Sequence, residues 1–167
     1  MSPIARLAAL ALSAAVVASA APVLAQNAGQ IAKVRAGGHC PGCNLFQADL
    51  ANLTLPGKNL AKARLRQADL STVVMNRTRF SSGDLRDVNA YGGVFGGASF
   101  AGADLTNASF VGAFLEGASF AGANLSGVNL SGAEMDRAQG LTQAQLNRAC
   151  GDASTRLPRG LSVPACR

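Results

Sequence analysis

Ala98-Ser99-Phe100-Ala101-Gly102-Ala103-Asp104-Leu105-Thr106-Asn107-Ala108-Ser109-Phe110 carries a large apolar residue at every fifth position and an alanine two residues before each. Outward from it the spacing holds in phase from Leu45 to Met135. Across those nineteen fives the central residue is Leu eleven times, Phe five times, Met twice and Ala once, at Ala90. Ala stands two residues earlier in ten of the nineteen. A period of five suits neither common element. On an α-helix each step turns by about 140°, so Leu45, Leu50, Leu55 and Leu60 would spread around the circumference. On a flat strand five is odd, so successive leucines would face opposite sides. A fixed short period of this kind means stacked like units, each too small to bury a core alone. If the chain bends once per unit, each five turns one large and one small side chain inward.

Ala-Asp-Leu at 48–50, 68–70 and 103–105, Ala-Asn-Leu at 123–125 and Ala-Ser-Phe at 98–100, 108–110 and 118–120 resemble the pentapeptide-repeat family, whose motif is Ala-(Asp/Asn)-Leu followed by two freer positions. The resemblance implies an all-β fold, a right-handed quadrilateral parallel β-helix with four repeats per coil and about 4–5 coils. Residues twenty apart then stack. One interior column reads Leu45, Leu65, Leu85, Leu105, Leu125, and another Leu60, Phe80, Phe100, Phe120. With coils about 4.8 Å apart the rod is roughly 20–25 Å long. Each buried Leu or Phe contributes about 1.5–3 kcal/mol before chain entropy is subtracted.

Four segments follow. Residues 1–25 read as a secretory signal peptide: Arg6 in the n-region, Leu7 to Val17 as the apolar run, and Val23-Leu24-Ala25 as a small-residue cleavage site. The apolar run is shorter than the roughly 20 residues a membrane span needs. Residues 26–39 are expected to form a polar N-terminal arm containing at most an irregular strand. Residues 40–139 form the repeat domain, and 140–167 a cap helix and tail. Thr142-Gln143-Ala144-Gln145 has the capping-box pattern of a short helix running to about Ala149, with Gly151 suited to its C-terminus. Leu141 and Leu146 would plug the end of the core, whose last coil otherwise offers an unpaired edge.

Two cysteine pairs bear on compartment. Pro41-Gly42 favours a type II turn that brings Cys40 and Cys43 close enough for a disulfide, as an oxidising compartment permits. Two sharper readings stand beside it. A redox Cys-x-x-Cys places its first Cys at a helix N-terminus, and no helix pattern follows here. Zinc on His39, Cys40 and Cys43 needs a fourth ligand, and none lies nearby in sequence. Haem attachment needs the His after the second Cys, whereas His39 precedes the first. Cys166 pairs most simply with Cys150, since Cys40 and Cys43 lie at the other end of the rod. That tail also resembles the C-terminal extension of exported bacterial members of the family.

The surface is charge-polarised. The chain has 15 Lys and Arg against 9 Asp and Glu, a net charge of +6. Lys62, Arg64, Arg66, Arg77, Arg79 and Arg86 crowd one part, with Lys58 before them. Asp87, Asp104, Glu116, Glu134 and Asp136 follow with no intervening Lys or Arg. The basic patch is either a solvated face paired with stacked Asp or a site for an anionic partner. Val74, Val94 and Phe114 should share one outward column, with Tyr91 and Val111 at the adjoining corner. A contiguous apolar patch marks an interface, here for a protein partner or for homodimer formation, unless the N-terminal arm or the tail covers it. Gly ends most later repeats, permitting positive φ, whereas Gln47, Asn52, Lys62, Gln67, Thr72 and Arg77 end earlier ones and point to less uniform corners. Lys58 falls where a small buried residue belongs, so its corner is expected to be distorted or its side chain to escape outward.

No catalytic, cofactor or metal residue is assigned. There is one His and no recognisable nucleophile motif. Asp49 over Asp69 and Asp84 over Asp104 are the best carboxylate pairs, but they occupy the motif's routine Asp/Asn position. The reading is therefore an exported scaffold or binding module, periplasmic or secreted, for an unknown protein or anionic envelope component. Nucleic acid is set aside because of export and the lack of interleaved aromatics. One alternative is a thiol–disulfide enzyme using Cys40 and Cys43. The other comes from the resemblance, which implies topoisomerase-binding DNA mimics for some members; a pI near 9.8 opposes the acidic rod such mimicry requires.

Overall fold

The computed structural model describes residues 25–167. The leader expected over 1–25 lies outside the described residues apart from Ala25. Among the described residues nineteen parallel bridges form, and sixteen join residues twenty apart, from Asn44↔Arg64 to Ser119↔Gln139. Each bridge is a single residue pair, because the chain turns again before a longer strand can form. Four bridged columns per twenty residues give four walls and four corners per coil. The column Asn44, Arg64, Asp84, Asp104, Asn124 is one wall; Thr54, Val74, Val94, Phe114, Glu134 is the opposite one. The fold is a repeat solenoid of the β-helix type.

The core follows the five-residue period without exception. All nineteen central residues are buried, Leu55 being the most exposed at 4%. Phe100 stacks between Phe80 and Phe120, with ring centroids 5.1 and 5.2 Å apart and planes 4° and 15° from parallel. Phe95 and Phe110 meet that ladder edge-on. Gly93 makes room for the Phe95 ring: a Cβ on Gly93 would stand 2.5 Å from Phe95 Cε2.

The Asp/Asn preference has a local cause. At nine positions from Asn44 to Asn129 the side-chain oxygen accepts the N–H two residues on, closing each corner from outside; Asp69 Oδ1 to Ser71 N, at 2.9 Å, is representative. Where Asn follows Asp in a column, Asn Nδ2 donates to the carboxylate one coil back, as Asn89 does to Asp69 and Asn124 to Asp104. Alternating Asn with Asp therefore replaces like-charge repulsion with a hydrogen bond.

The corners correct one expectation. Gln47, Asn52, Lys62, Gln67, Thr72 and Arg77 hold φ of 52–61°, close to the 61–70° of the later corner glycines. Early and late corners share one left-handed conformation, with the strain absorbed rather than avoided. The Lys58 corner realises both alternatives in part. Its register is intact, with Gly57 N donating to Asn76 O and Leu60 N to Arg79 O. Lys58 N, however, donates to Thr78 Oγ1 at 3.2 Å, and Thr78 Oγ1 donates to Leu55 O at 3.3 Å. A buried hydroxyl from the next coil thus bridges the turn, and Lys58 Nζ reaches out to within 3.5 Å of where a Cβ on Gly37 would stand.

Both ends are closed. The polar arm is not a strand but helix α1, Ala25–Arg35. Ile31 and Val34, three apart, seat it on the core. Gly37, at φ 85°, ends it: Gly37 N donates to Val34 O and Gly38 N to Lys33 O, a Schellman pattern. Gln30 Oε1 accepts Asn44 N at 2.6 Å, in the role that a carbonyl of the neighbouring coil plays elsewhere in the ladder. At the other end α2 spans Gln143–Leu146, shorter than expected, with the Thr142–Gln145 capping box formed. Leu146 is fully buried and Leu141 partly so. Gly151 is no helix cap: Asn147 is, and Gly151 bridges Ala165 where a Cβ would meet Thr155 Oγ1 and Val163 Cγ1 at 2.7 Å. The tail continues the ladder through Asn129↔Cys150 and Glu134↔Arg156, while Gln145 Nε2 donates to Phe120 O and Ala123 O. These contacts cover the last coil's open edge.

Candidate functional site

With the interior filled by Leu, Phe and Ala, chemistry and recognition are left to the walls and corners. Val74, Val94 and Phe114 follow one another in a bridged column. Tyr91 is 57% and Phe114 38% exposed, and Leu157 and Arg159 of the tail line the hollow beside Phe114. The ring of Phe114 does not turn towards the Tyr91–Val111 corner. It lies over Gly96, whose Cβ would stand 3.2 Å from Phe114 Cε1, at the edge of an open hollow that Pro56, Gly57, Asn76 and Arg77 also line. On its other side Phe114 borders a charged hollow with Glu134, Arg137 and Arg156. The exposed ring is thus a ridge between a glycine-lined recess and a charged one.

The basic residues form a belt rather than a patch. Lys62, Arg64, Arg66, Arg77 and Arg79 all fall within one coil, but across two walls and three corners; Arg86 lies one coil below Arg66. Two of them are internally paired. Arg86 Nε and Nη2 donate to Asp84 at 2.7 and 2.6 Å, and this holds the Asp84 carboxyl below its ordinary range. Arg66 Nε lies 3.4 Å from Asp87. Among the described residues no ion pair engages Arg64, Lys62, Arg77 or Arg79. Lower on the rod, Arg137 donates to Glu116 at 2.8 Å and depresses that carboxyl.

Cys40 and Cys43 stand at disulfide distance, Cα–Cα 5.5 Å, and so do Cys150 and Cys166 at 4.8 Å. Cys40 is buried in the core, and the pair follows the C-terminal, negative end of α1 rather than a helix N-terminus. That placement is the reverse of what activates a redox Cys-x-x-Cys. His39 Nδ1 accepts Asn59 N at 3.0 Å, filling an edge position much as Gln30 does. Among the described residues no group of three or more His, Cys, Asp or Glu is placed to hold a metal. The stacked carboxylates sit as expected, Asp49↔Asp69 and Asp84↔Asp104, but each is committed to its corner or to a neighbouring Arg, Asn or Thr.

Two residues escaped the sequence reading. Thr78 is, with Lys58, one of two polar non-cysteine residues at the nineteen small inward positions, and it lies twenty residues after Lys58. Phe46, 37% exposed, lies one coil above Arg66 and two above Arg86. Both signals were visible once residues twenty apart are compared.

A five-residue repeat coiled at twenty residues per turn around a filled apolar core defines a solenoid of pentapeptide units. Pentapeptide repeats match in eight copies over residues 43–81, 84–120, 98–137 and 115–150. The chain belongs to the pentapeptide repeat family. No curated protein sequence matches it. Among solved structures it is similar to HetL, a pentapeptide repeat protein involved in heterocyst differentiation regulation in the cyanobacterium Nostoc sp. strain PCC 7120. The identity is 26% and the TM-score 0.50 over 78% of this chain; the match spans 56% of HetL, little more than half its length. It is also similar to a pentapeptide repeat protein of the Arabidopsis thaliana thylakoid lumen, at 35% identity over 53% of this chain and 54% of that one, with a TM-score of 0.32. A third similarity, to the plasmid-mediated fluoroquinolone resistance protein QnrB1, has 16% identity over 75% of this chain and 79% of that one, with a TM-score of 0.38. Family membership is consistent with a non-enzymatic scaffold.

Proposed function

We propose that this protein is an exported binding scaffold, periplasmic or secreted, whose right-handed quadrilateral coil of about five turns offers its outer wall to a protein partner or an anionic envelope component. The observation that carries the reading is the sealed interior: nineteen central side chains buried in succession, leaving the walls as the working surface. α1 and the α2 tail act as caps that stop end-to-end pairing of the solenoid. Export is supported by the leader pattern over residues 1–25 and by two cysteine pairs at bonding distance, which a reducing compartment would leave unused. The bonds Cys40–Cys43 and Cys150–Cys166 are part of this proposal. The Phe114 ridge, with Val74 and Val94 beside it, is the surface assigned to the protein partner or to a second copy. Among the described residues no helix is long and apolar enough to cross a membrane.

Fractionation of cells expressing a C-terminally tagged chain tests export: a processed product outside the cytoplasm is expected, and a full-length cytoplasmic product overturns it. Photo-crosslinking from position 94 tests the surface. A discrete adduct that Phe114→Asp abolishes is expected; adducts indifferent to that change refute the assignment.

A further inference from the structure

Between α1 and the Asn44–Arg64–Asp84 wall lies a second kind of recess, of about 280 Å³. Arg64, Arg66 and Arg86 line it, with Asp84 as the one carboxylate among its lining residues. Asp84 is engaged by both donor arms of Arg86, and no ion pair among the described residues joins it to Arg64, its neighbour in the ladder. Arg66 gives only its Nε to Asp87, at the rim. Asn44 Oδ1 accepts Phe46 N, which leaves the Asn44 amide nitrogen as a further donor. Arg86 also lies 3.8 Å from Asp104, so the charges of Arg66 and Arg86 are met by carboxylates, and the guanidinium of Arg64, which makes no ion pair among the described residues, supplies the free positive charge and N–H donors of the recess. The exposed ring of Phe46 forms one apolar side.

We infer that this recess binds a phosphate group, held by Arg64 and by the N–H groups of Arg66 not given to Asp87, with Phe46 against the organic part of the ester. A phosphate offers three or more acceptor oxygens and up to two charges, matching two planar guanidinium groups better than a carboxylate's two oxygens do. The volume is at the small end for a ligand site, so it suits a headgroup rather than a large metabolite. The phosphate belongs either to a soluble ester or to an anionic phospholipid headgroup, the latter placing the α1 end of the rod against a membrane surface. The inference rests on the outer wall being the working surface, but not on the Phe114 ridge, which lies on the opposite wall.

The test uses purified protein in two arms: calorimetric titration with inorganic phosphate at constant ionic strength, and co-sedimentation with phosphatidylcholine vesicles with and without phosphatidylglycerol. Arg64→Gln is the informative variant, because Arg64 makes no ion pair among the described residues and its loss leaves the fold intact. Arg79→Gln, on the neighbouring wall, removes the same charge elsewhere. Phosphate binding weakened at least tenfold by Arg64→Gln and by less than twofold in Arg79→Gln is expected. The same pattern in the vesicle arm assigns the phosphate to a lipid, and its restriction to the calorimetric arm assigns it to a soluble ester. No binding in either arm, or equal weakening by the two substitutions, overturns the inference. Neither result bears on the crosslinking test at position 94.

Discussion

Replacing Thr78 by Val removes one hydroxyl from the core and keeps its shape. Thr78 is fully buried, and its Oγ1 takes Lys58 N at 3.2 Å while giving its proton to Leu55 O at 3.3 Å. With Val there, a donor and an acceptor of one corner lose their partner together. A stranded buried group costs about 1–3 kcal/mol. Both bonds are long and Lys58 is only partly buried, so the lower end applies to each, about 2 kcal/mol in all. For a domain of this size that lowers the melting temperature by about 4–8 °C. Thr78→Ser keeps both bonds and gives up one methyl, about 0.8 kcal/mol. Thermal denaturation followed by circular dichroism should therefore rank wild type above Ser and Ser above Val. A Val variant as stable as the Ser variant, or more so, would refute the bridging role and leave Thr78 as mere filling.

Three further outcomes follow from other parts of the rod. Gly112 holds φ 65°, and a Cβ added there would meet nothing within 4 Å, so Gly112→Val should cost about 1–2 kcal/mol through backbone conformation alone, measurable by urea denaturation. Phe100→Ala, at the centre of the ring ladder, should cost about 3–5 kcal/mol and lower the urea midpoint far more than any wall substitution. Asp84, Glu116 and Asp152 all have carboxyls below their ordinary range, through Arg86, Arg137 and Ser154 respectively. The unfolded chain binds protons more readily at these groups, so their stabilisation is fully present above about pH 5 and fades as pH falls through and below about 4. Melting temperature should be flat from neutral pH to about 5 and decline below it, and a decline that begins near neutrality would count against these pairs.

The solenoid was legible in the sequence because burial imposes a strict spacing on it. Every large side chain that the five-residue period turns inward, from Leu45 to Met135, is buried. The α2 capping box was legible for a similar reason, since Thr142 and Gln145 satisfy each other's backbone groups locally. Helix α1 was not. Its two anchoring residues, Ile31 and Val34, make too short a pattern to read, and the helix is stabilised by the open end of the core on which it sits. The uniform early corners were hidden too. Local preference disfavours positive φ at Thr72 or Arg77, but the ladder on both sides fixes that conformation whatever the residue.

The sequence by itself determined the repeat and its core, because periodic burial is a strictly spaced property. Which surface groups meet was decided only by the tertiary structure. Stacking at twenty residues sets Thr78 under Lys58 and leaves Arg64 without an ion pair among the described residues, beside an Asp84 already engaged by Arg86. It also turns Phe114 over Gly96 rather than towards Tyr91. Such pairings depend on which of several neighbours a side chain reaches first, and that competition exists only once the coils are stacked about 4.8 Å apart.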